Sequence, residues 1–123
     1  MIKAKKSLGQ NFLIDQNIID KIVNILELKN RNILEIGPGT GNLTEGILKK
    51  NPKKVMVVEK DDNLTSLLKE KFKNKIEVIN KDILRIDENL LSDQTLCLRY
   101  FNFINNLSYK IFRVNILSFC LVG

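Results

Sequence analysis

The sequence predicts an α/β fold built on a parallel sheet. Three observations predict it. Short apolar runs alternate with amphipathic helical stretches at β-α-β spacing, the strand candidates are apolar almost throughout, and glycines cluster directly after the first of them at Gly37, Gly39 and Gly41. A strand covered on both faces loses the apolar–polar alternation of a half-exposed one, and right-handed crossovers are expected between such strands.

Asp15 is placed to cap a helix running to about Leu28, with Ile18, Ile19, Ile22, Val23, Ile25 and Leu26 forming one buried stripe at helical spacing. Asn32-Ile33-Leu34-Glu35-Ile36 reads as a short strand ending in the glycine cluster. Asn42 to about Lys50 reads as a helix that Pro52 stops, with Gly46 allowing a close approach to the sheet. Val55-Met56-Val57-Val58 is the second strand. Asp61 or Asp62 opens a helix to about Phe72, carrying Leu64, Leu67 and Leu68 inward and Lys69, Glu70 and Lys71 outward. Ile76 to Ile79 forms the third strand, Asn80-Lys81-Asp82 follow it, and Thr95 to Ile104 contains a fourth.

Length and composition bound the function. A chain of 123 residues holds one domain, and 44% hydrophobic with 28% charged residues is ordinary for a soluble globular protein. No apolar run approaches the roughly 18 residues that cross a bilayer, and no apolar stretch follows the basic start as a secretory signal would require. Cys97 and Cys120 lie in apolar surroundings without Cys-x-x-Cys spacing, so free buried thiols and a cytoplasmic monomer are expected. Histidine is absent, which excludes a Ser-His-Asp triad and removes the commonest metal ligand; no metal is expected. The net charge of +6 agrees with a polyanionic partner such as nucleic acid, and Lys3, Lys5 and Lys6 form a basic arm suited to phosphates.

Glu35-Ile36-Gly37-Pro38-Gly39-Thr40-Gly41-Asn42 is the strongest local signal. Glycine is wanted where the backbone turns sharply from strand to helix and lies against a ligand, because a Cβ there would collide. The dinucleotide fingerprint G-x-G-x-x-G would place its third glycine at Asn42, whereas this chain has it one residue earlier, at Gly41. G-x-G-x-G after an acidic residue is the pattern of S-adenosylmethionine enzymes, whose cofactor has no pyrophosphate, and Glu35 would repel one. Glu59 ends the second strand roughly 20 positions on, where a carboxylate accepts from both ribose hydroxyls. Asp82 stands in the same relation to the third strand and would face an adenine amino group; alone, it reads equally well as a helix cap. The loop favours a Rossmann-like S-adenosylmethionine-dependent methyltransferase fold, with only the N-terminal part of its parallel sheet placed. Glu59, which both nucleotide classes use, supports a ribose without choosing between them.

Three stretches carry a family resemblance: Lys6-Ser7-Leu8-Gly9-Gln10-Asn11-Phe12-Leu13, the loop from Glu35 to Asn42, and Asn80-Lys81-Asp82-Ile83-Leu84. Together they resemble the ribosomal RNA adenine N6-dimethyltransferase family, and within it the bacterial enzymes of the small (16S) subunit, from about Lys3 to Asp93. The macrolide-resistance methyltransferases share Gln-Asn-Phe but usually lack the Leu-Gly before it and the Pro-Gly-Thr-Gly-Asn-Leu-Thr loop. The resemblance implies that Asn11 and Leu13 contact S-adenosyl-L-methionine and that Gly37, with Gly39 and Gly41, lines its amino-acid part. It implies that Glu59 holds the ribose and Asp82 the adenine amine. The implied partner is small-subunit ribosomal RNA, on which two adjacent adenines each receive two methyl groups.

The family's Asn-Leu-Pro-Tyr segment after the fourth strand is matched here by Asn106-Leu107-Ser108-Tyr109. By that match Asn106 lies beside the cofactor and accepts from the adenine N6, and Tyr109 stacks on the base. An ordinary Asn-Ser turn is the plain alternative. Ser108 replaces the proline, Asn105 stands where glycine is usual, and Lys110 replaces an asparagine. Losing a residue with φ fixed near −65° loosens a loop that has to be held to within about half an ångström.

From about Thr95 the charge thins, and Ile116 to Gly123 are nearly all apolar. Residues 1–93 therefore read as family-like and residues 94–123 as a divergent end, so that the chain is a partial methyltransferase domain without the family's C-terminal helical domain. A frame-shifted or decayed end of a longer gene would account for this. One codon assignment for residues 110–115, read out of register, gives Asn-Ile-Ser-Ser-Gln, a segment of the kind that the family carries there. The chain itself is then expected to be inactive in transfer. The alternatives are a non-catalytic RNA-binding or ribosome-assembly factor of the same family and, more distantly, a dinucleotide-dependent oxidoreductase.

Overall fold

The computed structural model describes residues 15–86, 95–103 and 106–113. They form three helices, α1 (Gln16–Ile25), α2 (Asn42–Leu48) and α3 (Asp62–Phe72), and five strands. The strands are β1 (Asn32–Ile36), β2 (Lys54–Val58), β3 (Glu77–Ile79), β4 (Leu96–Phe103) and β5 (Asn106–Arg113), in the order β3-β2-β1-β4-β5. The first four run parallel, with Ile33 beside Val55 on one side and Leu96 on the other. The fifth, which the sequence did not signal, returns antiparallel along β4.

Each helix starts where a side chain satisfies its free amides. Asp15 accepts from the backbone N–H of Asn17 at 2.9 Å, and Asp61, rather than Asp62, accepts from Leu64 at 3.0 Å. Helix α1 ends at Ile25, earlier than expected, because Leu26 is extended. The buried stripe is also narrower than expected. Ile19, Ile22 and Val23 are buried at spacings of three and four, whereas Ile25 falls off that face and is 62% exposed.

Alternation along the strands splits the core. Ile33, Val55, Val57, Leu96 and Leu98 face Ile19 and Ile22 of α1, Leu43 and Ile47 of α2, and Leu68 and Phe72 of α3. Leu34, Met56, Val58 and Cys97 lie on the other face with Ile86. Burial of each such aliphatic side chain contributes about 1.5–3 kcal/mol. Gly46 performs a different task from the one expected. A Cβ there would meet Ile19 Cγ2 at 2.7 Å, so the glycine lets α2 approach α1, not the sheet.

Strands β1, β2 and β3 step outward in one direction and β4 lies on the opposite side of β1. This reversal falls at the carboxyl ends of β1 and β4, the usual ligand position in open α/β sheets.

Candidate functional site

The glycine loop is shaped by three residues with left-handed backbone, Gly37, Gly39 and Gly41, at φ 66°, 60° and 89°. Its start belongs to the sheet, since the Gly37 N–H donates to the Val58 carbonyl at 2.9 Å. Its end is a tight turn, with the Gly41 N–H donating to Pro38 O at 3.0 Å before Gly41 caps α2.

The glycines serve different surfaces. A Cβ on Gly41 would meet the Phe72 ring at 2.5 Å, so this residue seats the loop against α3. A Cβ on Gly37 would meet nothing within 4 Å, so Gly37 opens onto solvent. Lys71 reaches from α3 to donate to Thr40 O at 3.1 Å and pairs with Glu45 at 3.8 Å. Phe72 and Lys71 thus hold the loop from beneath. Neither residue carries a local signal in the sequence, because the contacts span about thirty residues of chain.

Two carboxyl groups stand under and beside the loop. Glu35 is buried at 2% exposure on the helix-covered face of β1, where Thr44 of α2 donates to it through Oγ1. Burial pushes its pKa up to about 7; the Thr44 hydrogen bond pulls the other way, and the Glu59 charge adds to the rise. Thr44 is a residue that sequence reading missed, although a threonine on a buried helix face has to find an acceptor.

Glu59 directly follows β2 and is 5% exposed. Its N–H donates to Ile79 O at 3.0 Å, and its carboxylate accepts from the Asp61 N–H at 3.0 Å. Burial raises its pKa, opposed by hydrogen bonds from the backbone of Asp61, Gly39 and Lys60. The Gly39 bond ties the loop to the end of β2.

Asp82, beyond β3, is exposed and accepts from the Leu84 N–H at 3.0 Å, capping a short 3-10 turn over Ile83–Arg85. The structure therefore gathers Gly37, Gly39, Gly41, Glu59 and Asp82 along one edge of the sheet, on the carboxyl sides of three adjacent strands. Asn11 and Leu13 lie outside the described residues. Asn106 opens β5 opposite Phe103, at the carboxyl end of β4, so the backbone brings it to the same edge. Residues 106–109, expected as a loop, are instead extended, and Tyr109 runs back beside Tyr100. With Ser108 in place of proline, nothing bars the segment from donating to a strand ladder.

A parallel sheet of this order, closed at its carboxyl edge by a glycine loop and two acidic strand ends, is the Rossmann-like sheet of methyltransferases. Among solved structures, the 23S rRNA methyltransferase ErmE superposes with a TM-score of 0.61 at 26% identity, covering 74% of this chain and 48% of that one. The chain belongs to the ribosomal RNA adenine dimethylase family, whose model matches residues 1–114. It is 57% identical over 110 residues to the ribosomal RNA small subunit methyltransferase A of Pelagibacter ubique (strain HTCC1062), covering 89% of this chain and 40% of that one. The protein of the same name from Halothermothrix orenii is 43% identical over 114 residues, covering 89% of this chain and 38% of that one. The chain thus spans about two fifths of the length of these curated relatives. Among the described residues no helix is long and apolar enough to cross a membrane, and no cluster of metal-ligating side chains occurs.

Proposed function

We propose that this chain binds S-adenosyl-L-methionine and belongs to an enzyme that dimethylates the N6 atoms of adjacent adenines in small-subunit ribosomal RNA. The observation that carries the reading is the open space above Gly37 beside the buried carboxylate of Glu59. The residues fit such a cofactor: a backbone without Cβ on one side, and a carboxylate held by amides on the other. Family membership and the names of the relatives support the same choice.

When bound, S-adenosyl-L-methionine supplies a methyl group on a sulfonium that departs readily. The chain's own residues have to bind and align. Gly37, Gly39 and Gly41 admit the amino-acid portion, with Asn11 and Leu13 assigned to the same ligand. Glu59 accepts from the ribose hydroxyls, and Asp82 from the adenine amine. Asn106 accepts a hydrogen bond from the amino group of the target N6, drawing its lone pair out of conjugation with the ring, and Tyr109 stacks on the base taken from its helix.

One observation favours a second reading for this chain by itself, binding without transfer. Residues 106–109 are extended where base-holding requires a loop. Calorimetry with S-adenosyl-L-methionine, its demethylated product and NADH tests the first reading, with binding expected for the first two alone. Unmethylated small subunits and a tritiated methyl donor then separate the two readings, since label in the RNA requires transfer. Failure of both methyl-donor ligands to bind a folded sample would refute the proposal.

A further inference from the structure

The turns at the two ends of β2 and β3 carry opposite charge. At the carboxyl end, Glu59, Asp61, Asp62 and Asp82 outnumber Lys60 and Lys81 in the turns after β2 and β3. At the amino end the turns entering β1, β2 and β3 are basic, whereas residues 87–94 ahead of β4 carry Asp87, Glu88 and Asp93. Lys29 and Arg31 precede β1, Lys53 and Lys54 lead into β2, and Lys73 and Lys75 lie before β3. The carboxylates that flank these turns are Glu27 before β1 and Glu77 at the start of β3. Among the described residues, only Lys54 of these six pairs with a carboxylate, Glu77 at 3.2 Å.

These turns form one built surface. The Asn30 N–H donates to Asn51 O at 3.0 Å and the Lys53 N–H to Arg31 O at 2.8 Å, fastening the entry of β1 to that of β2. Asn32 is level with Lys54 and Met56 with Glu77, so Arg31 comes beside Lys53, and Lys75 comes level with Lys54. With strands about 4.8 Å apart, the cations spread over about 10 Å. The five lysines are exposed.

We propose that this amino edge is a docking face for the phosphate backbone of folded RNA, opposite the methyl-donor edge. RNA is chosen among polyanions on the reading given above; the face itself rests on the charge and the register. Closely set cations, of which only Lys54 is paired with a carboxylate among the described residues, concentrate positive potential and release counterions when phosphates replace them. The acidic carboxyl edge suits a cationic methyl donor and repels phosphates. RNA affinity therefore comes from elsewhere on the molecule. A five-residue strand separates the two edges by about 17 Å, so an RNA that engages both has to fold around the domain. A short single strand reaching the site does not touch this face.

The test compares two double variants of equal charge, Lys53→Gln with Lys75→Gln, and Lys21→Gln with Lys69→Gln, the second pair being exposed lysines of α1 and α3. Anisotropy is measured with a labelled RNA duplex of about 20 base pairs across a salt series. The amino-edge pair is expected to bind about tenfold more weakly near 0.1 M salt, with the slope of log affinity against log salt shallower by about 1.5. The control pair is expected to stay within about twofold of the parent. Equal losses in both pairs, or no loss in either, would overturn the proposal. So would tighter binding of the parent to phosphatidylglycerol vesicles than to RNA, abolished in the amino-edge pair. Circular dichroism establishes that each variant is folded. Calorimetry with S-adenosyl-L-methionine is expected to be unchanged in both, and a parent that binds RNA through this face but not the methyl donor sinks the proposed function while sparing this one.

Discussion

The hydroxyl of Thr44 donates to the carboxyl group of Glu35 inside the molecule, where the first turn of α2 crosses β1. The bond joins the strand that carries the glycine loop to the helix that leaves it, and it satisfies a polar group at 2% exposure. Thr44→Val keeps the volume and removes the donor. It is expected to cost about 1–3 kcal/mol, because a buried acceptor is left without a partner. Chemical denaturation checks this, and Thr44→Ser should retain most of the stability.

Glu35 also sets a pH dependence. Its pKa rises from 4.5 to about 7 on folding, so between those values the folded chain holds a proton that the unfolded chain has released. Stability is therefore greatest on this account below pH 4.5 and falls as pH rises through 7, by a total of about 3 kcal/mol. Glu35→Gln cannot ionise and still accepts from Thr44, so it should flatten that slope and exceed the parent in stability at pH 8. Melting temperatures measured from pH 5 to 8 decide the point.

Gly41→Ala and Gly37→Ala should fail in different ways. At Gly41 the new methyl would strike the Phe72 ring at 2.5 Å on a backbone with φ 89°, and a loss of about 2–4 kcal/mol is expected. At Gly37 only the backbone cost of about 1–2 kcal/mol applies, since the methyl meets nothing. Methyl-donor binding should fall at least tenfold in Gly37→Ala despite that smaller loss, because the methyl occupies the space assigned to the ligand. Thermal unfolding and calorimetry on the same samples separate the two effects.

Glu59→Gln replaces an acceptor-only group with one that has a single acceptor oxygen. Methyl-donor affinity is expected to fall about 10- to 100-fold, the loss of one or two hydrogen bonds to a charged acceptor. A Glu59→Gln protein that binds the donor like the parent would remove the ribose role.

Lys71→Gln is expected to change stability by less than about 1 kcal/mol, since its ion pair with Glu45 is solvent-exposed. Its hydrogen bond to Thr40 O positions the loop, so the donor should dissociate faster while the melting temperature barely moves. Stopped-flow displacement measures that rate.

The first four strands, the helix starts and the glycine loop were legible because each rests on local chemistry. Asp15 and Asp61 announce helices by supplying acceptors, and the third glycine at position 41 sets the loop apart from the dinucleotide spacing. What the sequence hid was tertiary. Ile25 fits the helical pattern of its neighbours yet stands in solvent, because the stripe that the sheet covers is narrower than the apolar run. Gly46 could face either neighbour, and only the packing of Ile19 decides for α1. The segment 106–109 is expected as a loop, but without proline its amides are free to join a strand, and β4 offers the partner. Phe72 and Lys71 are distant in sequence from the loop they support.

The Gly37 amide remains part of the hydrogen-bonded ladder through Val58, although the residue itself opens onto solvent. The floor of the site is therefore stiff before any ligand arrives. Deuterium should enter the Gly37 amide about as slowly as the amides of neighbouring strand interiors, and ligand association should show little of the entropic penalty that accompanies the ordering of a slack loop.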